Sequence, residues 1–269
     1  MKKAYYFKTI PVSRIATFDV YAVGLNKHHV SALLEFDVTE ARKKLRNLRK
    51  NGTNISLNGW IIKVIGHVLD NHPEAAAFLY NKRKLIIFND INVSVLAEKK
   101  VNGKKVPIPV LIKEVNTKSA LEITREIEAA RKQELSGRDI VIHEKPNFFE
   151  KLYYHLPGFI RRSIWRFLIG NPKISFPKMG NVVVTSIGMM GKINGWFIHS
   201  SVHPLSFGIG SVLKKPVVAG EEIKIREILN MTILIDHDVI DGAPMVRLLN
   251  NFTESIEKGD LLEGSDMDT

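Results

Sequence analysis

The sequence contains no cysteine among its 269 residues. This absence excludes disulfide bonds, thiolate metal sites and a cysteine nucleophile, so any covalent chemistry must use another group. The chain also lacks a run of about 18 apolar residues, which a membrane-spanning helix requires. Its basic start, MKKAYYFKTIP, has no apolar stretch typical of a signal peptide. We therefore expect a cytoplasmic protein.

Linkers and repeats are missing as well. No stretch is rich enough in proline, glycine and serine to separate two domains, and no internal repeat is present. With 45% hydrophobic and 25% charged residues, the chain can bury a large core. We predict a single domain over residues 1–269, with an insertion at about 136–178 and a short acidic tail at about 259–269.

Acidic residues are outnumbered, since 39 lysines and arginines face 28 aspartates and glutamates and give a net charge of +11. Such a charge suggests an anionic partner, which could be nucleic acid, anionic lipid or a phosphorylated small molecule; the alternative is a solvated basic surface. The basic clusters at 41–52, 98–105 and 159–167 lack the regular basic and aromatic interleaving of a nucleic-acid module. Nucleic acid is therefore not an expected partner.

Hydrophobic periodicity and turn signals predict helices mixed with mostly hairpin-linked strands. Ser119 and Glu122 form a capping-box pattern before a long helix, and Asn102-Gly103 is typical of a hairpin turn. This order favours an α+β or sandwich architecture. The predicted helices are 38–51, 57–72, 117–135 and 241–258, and the predicted strands are 31–37, 75–81, 84–89, 91–99, 104–115, 181–188, 206–213, 216–227 and 229–236.

The segment 136–178 has no clear periodicity and is rich in aromatic and basic residues. It could be a substrate lid, an interface for a larger assembly or an amphipathic element on an anionic membrane surface. Alternatively, its aromatic residues pack onto the body of the same domain. The residues that alternate are Phe148, Phe149, Lys151, Tyr153, Phe159, Arg161, Arg162, Trp165, Arg166 and Phe167.

The stretch MTILIDHDVIDGAPMVRLL places His237 at the end of a predicted strand, before a turn that opens a helix. Histidine has a reference pKa near 6.5, so a neutral imidazole there can accept a proton at pH 7. Asp241 could brace the turn by pairing with a cation, and Gly242 permits close backbone approach. A lone histidine is more often structural, so this pattern alone does not establish catalysis.

Two further histidines, His199 and His203, raise the question of a zinc site. No glutamate or other third ligand falls at helical or turn spacing from them. We therefore predict no metal site.

Five segments of the chain occur in the order of a known family. They are "IPVSRIATFDVYAVGLNKHHVSALLEFDVTEARKKL", "VLDNHPEAAAFLYN", "INVSVLAEKKVNGKKVPIPVLIKEVNTKSALEITREIEAARKQEL", "NVVVTSIGMMG" and "IDHDVIDGAPMVRLLNNFTESIEKGDLL", and cover about residues 10–135 and 180–262. They resemble the catalytic domain of dihydrolipoyl acyltransferases from 2-oxo acid dehydrogenase complexes, which shares its fold and HxxxDG motif with chloramphenicol acetyltransferase. The resemblance implies an α+β fold, a two-layer mixed sheet with flanking helices.

The resemblance also implies an acyltransferase that uses coenzyme A or acyl-coenzyme A as a substrate, with no covalently bound cofactor. His237 would be the general base, and Thr185 would donate a hydrogen bond to the oxyanion. Asp241 would pair with Arg14 and, with Gly242, hold the histidine turn in shape. Related enzymes are homotrimers, or larger assemblies of trimers, with active sites between subunits.

The sequence departs from the family pattern in two ways. No DKA-like lipoyl turn is present, so we expect a free-standing catalytic domain that meets a lipoyl or small-molecule acceptor in trans. Asp238 stands where the dehydrogenase family usually has arginine. We expect acyl transfer to a thiol or hydroxyl acceptor. The alternatives are a non-catalytic trimeric scaffold and an electrostatic binder of nucleic acid or anionic membrane.

Overall fold

The computed structural model describes residues 4–10, 14–101, 104–132, 148–188, 191 and 193–262. The helices are α1 (Arg14–Gly24), α2 (Thr39–Lys50), α3 (Leu57–Asp70), α4 (Ala120–Lys132), α5 (Phe148–His155), α6 (Gly158–Gly170), α7 (Pro172–Met179) and α8 (Gly242–Lys258). The strands are β1 (His29–Asp37), β2 (Phe78–Tyr80), β3 (Lys84–Ile86), β4 (Val93–Val101), β5 (Lys104–Ile112), β6 (Val182–Ser186), β7 (Leu205–Ala219) and β8 (Glu222–Asp236).

Six strands form one mixed sheet in the order β1-β8-β7-β6-β4-β5, and β2 pairs with β3 in a separate hairpin. The middle strand β6 runs parallel to both β4 and β7, whereas the remaining neighbours in the sheet are antiparallel. Mixed pairing of this kind, together with helices that are not in strict alternation with strands, confirms the predicted α+β class.

One face of the sheet and the helices α3, α4 and α8 enclose the main core. Alternate residues of each strand point to that face, so Val184 and Phe207 are buried against the helices, and Phe252 of α8 contacts both Phe207 and Phe36. By the same alternation, the opposite face carries Thr185, Ser206 and Thr232. The face of the sheet that packs against the helices is therefore apolar, and the opposite face is more polar.

Helix starts follow the capping signals in the sequence. Ser56 accepts a hydrogen bond from the Gly59 amide at 3.0 Å and caps α3. Before α4, Ser119 N donates to Glu122 Oε2 at 2.8 Å, and Glu122 N donates to Ser119 Oγ at 3.2 Å. This reciprocal pair confirms the predicted capping box, and it lowers the pKa of Glu122.

The C-terminal strands differ from the prediction. The segments expected as three strands between 206 and 236 are two strands of 15 residues each, joined at Gly220 and Glu221. Gly220 has φ of +67°, which glycine adopts without strain. The predicted hairpin around Asn102-Gly103 is seen as β4 paired with β5, while those two residues lie outside the described ranges. Residues 263–269 of the expected acidic tail lie outside them as well.

The insertion is not irregular where the structure describes it, because residues 148–179 form α5, α6 and α7. Asp19 of α1, 3% exposed, fixes this unit: Arg161 Nε donates to its carboxylate at 2.7 Å and Tyr153 donates at 2.9 Å. Trp165 donates to the Tyr153 hydroxyl at 2.9 Å. Burial raises the pKa of Tyr153 to about 12, which keeps this hydroxyl protonated as a donor.

Among the helices that the structure describes, none combines the length and apolar composition that crossing a membrane requires.

Candidate active site

His237 directly follows the last residue of β8 and lies in an exposed turn before α8. Its backbone amide donates to the His28 carbonyl at 3.0 Å, which fixes the main chain of the turn to the loop between α1 and β1. Within the described part of the chain, its imidazole makes no hydrogen bond or ion pair. A hydrogen bond therefore fixes the backbone of His237, while its imidazole is available to accept a proton from a bound molecule.

Asp236, immediately before it, holds the turn together. Its side chain is 1% exposed, and its carboxylate pairs with the ammonium of Lys27 and accepts the Asp238 amide at 3.3 Å. Its carbonyl accepts the amides of Val239 at 3.0 Å and Ile240 at 3.3 Å. A buried carboxylate needs such compensation, so Lys27 and the turn amides stabilise it in this position.

The ion pair expected between Arg14 and Asp241 is absent from the ion pairs of the described residues. Arg14 begins α1 and lies over the ring of Phe18, 5.8 Å from its centroid. Asp241 is the exposed N-terminal cap of α8 and makes no side-chain capping hydrogen bond. The pairing of Arg14 with Asp241 therefore stays a prediction, while the cation bound at this turn is Lys27, which pairs with Asp236.

Gly242 was expected to permit close backbone approach. A Cβ built on it would meet no heavy atom within 4 Å. In this chain the position faces open space, because it is the first residue of the exposed end of α8.

Asp238 also has a partner. Its two carboxylate oxygens each lie 3.0 Å from Nδ1 of His28. The loop between α1 and β1 therefore contacts the His237 turn at three successive positions, through Lys27 with Asp236, the His28 carbonyl with His237, and the His28 ring with Asp238. The sequence shows basic residues, Lys27 and His28, just before a strand. It does not show that their partners are Asp236 and Asp238.

Thr185 is half-buried on β6, opposite Gly208 of β7. The absence of a side chain at Gly208 leaves room for His199: a Cβ there would lie 2.9 Å from both Cε1 and Nδ1 of that ring. His199 Nε2 and the Ser206 hydroxyl form a hydrogen bond beneath it. A histidine side chain therefore lies beside the strand that carries Thr185, which sequence reasoning did not identify.

Of the pair considered for zinc, His203 is buried and His199 is half-buried. Burial lowers the pKa of both His199 and His203 to about 4, so both are neutral at pH 7. His203 Nε2 donates to the Met179 carbonyl at 3.0 Å, and its own carbonyl lies 2.9 Å from Nε2 of His29. Within the described ranges, no three histidine, aspartate or glutamate side chains gather as metal ligands.

The two residues expected to share a catalytic site are far apart within one chain. Thr185 is opposite Gly208, which is opposite Thr232, and His237 is five residues beyond Thr232 along β8. Two strand spacings of about 4.8 Å and five residues at about 3.4 Å place their Cα atoms roughly 20 Å apart. One chain does not bring this base and this hydroxyl together.

Sequence comparisons identify relatives over most of the chain. The sequence profile of the family described as 2-oxoacid dehydrogenases acyltransferase (catalytic domain) matches residues 22–140 and 176–263. The dihydrolipoyllysine-residue acetyltransferase component of the pyruvate dehydrogenase complex from Rickettsia prowazekii is 25% identical over 76% of this chain and 41% of its own length. The corresponding succinyltransferase component of the 2-oxoglutarate dehydrogenase complex from Bos taurus is 23% identical over 81% of this chain and 40% of its own length. The chain spans about two fifths of these curated relatives.

Solved structures agree on the fold. The dihydrolipoamide acetyltransferase of Azotobacter vinelandii superposes with a TM-score of 0.67 at 18% identity, over 95% of this chain and 93% of that one. Chloramphenicol acetyltransferase superposes with a TM-score of 0.50 at 12% identity, over 96% and 99%. These likenesses confirm the predicted chloramphenicol acetyltransferase-like fold. The profile match, which covers more than half of the sequence, shows that the chain belongs to the family of 2-oxoacid dehydrogenase acyltransferase catalytic domains.

Proposed function

We propose that this protein transfers an acyl group between coenzyme A and a thiol or hydroxyl acceptor, with His237 as the general base. The observation that carries the proposal is the turn after β8, in which hydrogen bonds fix the backbone of His237 while its imidazole stays free. The family match covers this turn. In the Azotobacter vinelandii relative, a serine, a histidine and an asparagine have been studied for roles in the catalytic mechanism.

In the proposed reaction, neutral His237 removes the proton of the acceptor thiol or hydroxyl as its sulfur or oxygen attacks the thioester carbonyl. The tetrahedral intermediate carries a negative oxygen, and the hydroxyl of Thr185 donates a hydrogen bond to it. Collapse of the intermediate breaks the bond to the coenzyme A sulfur. The imidazolium returns its proton to that thiolate, which leaves the base neutral for the next turnover.

The separation of about 20 Å between His237 and Thr185 within one chain supports a site built from two copies. We infer a homotrimer in which the histidine of one copy faces the threonine of the next, because a closed ring of three identical contacts completes every site. Larger assemblies of trimers are consistent with a related structure described as the cubic core of a pyruvate dehydrogenase complex.

The substrates follow from the family and from charge. The relatives are named for a dihydrolipoyllysine residue, so a lipoyl-like dithiol supplied in trans is the first acceptor to test. A chain with a net charge of +11 favours the phosphate groups of acyl-coenzyme A. Asp241 and Gly242 then have a structural role at the start of α8.

The test is a thiol-release assay with a panel of acyl-coenzyme A donors and with dihydrolipoamide, alcohols and amines as acceptors. His237→Ala should lower kcat by about 10²–10⁴-fold. His67→Ala, at an exposed histidine of α3, is the matched control and should keep full activity. Equal turnover by the two variants would reject His237 as the base. No turnover by the wild-type protein, when folded and trimeric, would favour the scaffold alternative.

Complementation tests the two-copy site. Thr185→Val removes the proposed donor and should lower kcat by about 10²–10³-fold on its own. When His237→Ala and Thr185→Val chains are co-expressed in equal amounts, about a quarter of the interfaces combine an intact histidine with an intact threonine. Recovery of about a quarter of the wild-type activity is expected. Co-expressed chains that stay inactive in mixed trimers would contradict a shared site.

A further inference from the structure

The positive charge of the chain is concentrated in one segment. Residues 151–220 contain nine lysines and arginines and no aspartate or glutamate, so this quarter of the sequence supplies nine of the eleven net charges. A solvated surface normally mixes both signs of charge. A stretch of 70 residues without a carboxylate favours an anionic partner for those of its cations that have no partner within the fold, unlike Arg161 with Asp19 and Lys215 with Glu35.

Helix α6, in the first third of this segment, has two different faces. The inner face carries Arg161 and Trp165. Arg161 binds Asp19 of α1, and Trp165 donates to Tyr153 of α5, whose hydroxyl donates to Asp19. This contact uses the buried Asp19 carboxylate to neutralise one arginine of the helix. The remaining arginines of α6 are on the other face.

The outer face of α6 combines exposed aromatic rings with guanidinium groups. Phe159 is 66% exposed and Phe167 is 64% exposed. Arg162 and Arg166 are also exposed and lie one helical turn apart on the same side, since residues 159, 162, 163, 166 and 170 follow three- and four-residue spacing. Two exposed phenyl rings and two exposed arginines on one helix form a mixed apolar and cationic surface, of the kind that marks an interaction site.

The neighbouring helix α1 carries a second exposed apolar stripe. Phe18 is 50% exposed, Tyr21 is 47% exposed and Leu25, just after the helix, is 75% exposed. The sole carboxylate within α1 and α6 is Asp19, which is buried against Arg161. The outward surface of the two helices therefore offers apolar and cationic groups with no carboxylate from either helix.

We propose that the outer face of α6, with the adjoining stripe of α1, docks on an anionic phospholipid surface. Phe159 and Phe167 enter the boundary between headgroups and acyl chains, and Arg162 and Arg166 pair with lipid phosphates. Twofold contact of this face with a second copy would bring arginines together without a carboxylate to balance them, and a contact within the proposed ring of three is distinguished from lipid docking by the oligomeric state of the phenylalanine variant. Single-stranded nucleic acid is bound in basic grooves whose aromatic rings stack on bases, whereas these two rings lie on the exposed surface of a helix.

The experiment measures vesicle co-sedimentation of the full chain at several salt concentrations. Phosphatidylcholine vesicles with about one third phosphatidylglycerol should bind the protein, and pure phosphatidylcholine vesicles should bind it far less. Arg162→Gln with Arg166→Gln should weaken binding about fivefold per arginine, hence roughly 25-fold. Phe159→Ser with Phe167→Ser should weaken it by at least about tenfold, because the rings no longer enter the lipid.

A matched control removes two exposed cations elsewhere, with Lys82→Gln and Arg83→Gln in the turn between β2 and β3. Near wild-type binding by this control supports a defined surface. An equal loss in the control and in the arginine variant, or no binding to anionic vesicles, would overturn the proposal. A phenylalanine variant that dissociates the oligomer while vesicle binding stays unchanged would assign the face to a second copy. Binding of single-stranded RNA, lost in the arginine variant without any vesicle binding, would assign it to nucleic acid.

Discussion

Removing the ammonium group of Lys27 tests how the candidate catalytic turn is held. Lys27→Met leaves the carboxylate of Asp236, 1% exposed, without a counter-charge. Breaking one partner of a buried ion pair costs about 3–5 kcal/mol, because the remaining charge is still desolvated. We expect the free energy of unfolding to fall by about that amount. Since Asp236 also accepts the amides that shape the turn, His237 should shift, and a displacement of about 1 Å can cost roughly 10²-fold in kcat.

The assay combines urea denaturation at one fixed protein concentration with the thiol-release measurement. Arg14→Gln is the comparison variant, because the family resemblance assigns the bracing role to Arg14 whereas the structure assigns it to Lys27. We expect Arg14→Gln to change stability by less than about 0.5 kcal/mol and to keep activity. The double variant Lys27→Met with Asp236→Asn removes both charges, and it should be at least about 1.5 kcal/mol more stable than the sum of the single effects predicts.

Two results would refute this reasoning. Additive effects of the single variants at Lys27 and Asp236 would mean that the two groups do not stabilise each other in the protein. Loss of activity in Arg14→Gln, with full activity in Lys27→Met, would restore the family-implied bracing of Asp241 and reject the one seen here.

Three further outcomes follow from the structure. Gly208→Ala places a Cβ 2.9 Å from the His199 ring. It should lower the free energy of unfolding by about 1–3 kcal/mol, measured by urea denaturation. It should also lower kcat, because the displaced ring lies beside the strand of Thr185. The pKa of His203 is lowered to about 4 in the folded protein against about 6.5 unfolded, so stability present above pH 6.5 should be lost as the pH falls toward 4. His203 should account for a loss of about 2 kcal/mol by pH 5, and His203→Gln should remove this part of the pH dependence while the similar part from His199 remains. Ser119→Ala opens the capping box of α4 and should lower the free energy of unfolding by about 1 kcal/mol, while activity stays unchanged.

Local signals in the sequence predicted the local structure well. The pattern of Ser119 and Glu122 identified the start of α4, and Pro73 marked the end of α3, because capping and backbone restriction act over a few residues. The strand that ends before His237 was also predicted, because its run of apolar and β-branched residues is a local signal. The partner of Asp236 in the His237 turn was not predicted. Lys27 is 209 residues away from Asp236 in the sequence, and only the sheet order brings the two together.

The helices of the insertion were not predicted, because its aromatic and basic residues show no clear helical periodicity. Pro157 is the N-terminal cap of α6 and Pro172 is in the first turn of α7, positions where proline fits a helix without losing a hydrogen bond. The prolines therefore separate three short helices and do not prevent them. Tyr153 and Trp165 pack against α1, as one alternative for this segment proposed, whereas Phe159 and Phe167 remain exposed.

Asp238 is the feature of the sequence that most favours a scaffold without catalytic activity, since it replaces the arginine usual in the dehydrogenase family. Its carboxylate, however, is bound by Nδ1 of His28 at 3.0 Å, and the preceding Asp236 is bound by Lys27. Both carboxylates that flank His237 thus have basic partners from the loop between α1 and β1. One chain segment supplies both partners, so the carboxylate of Asp238 is accommodated by the contacts of the turn, and Asp238 by itself does not favour the scaffold over the proposed acyl transfer.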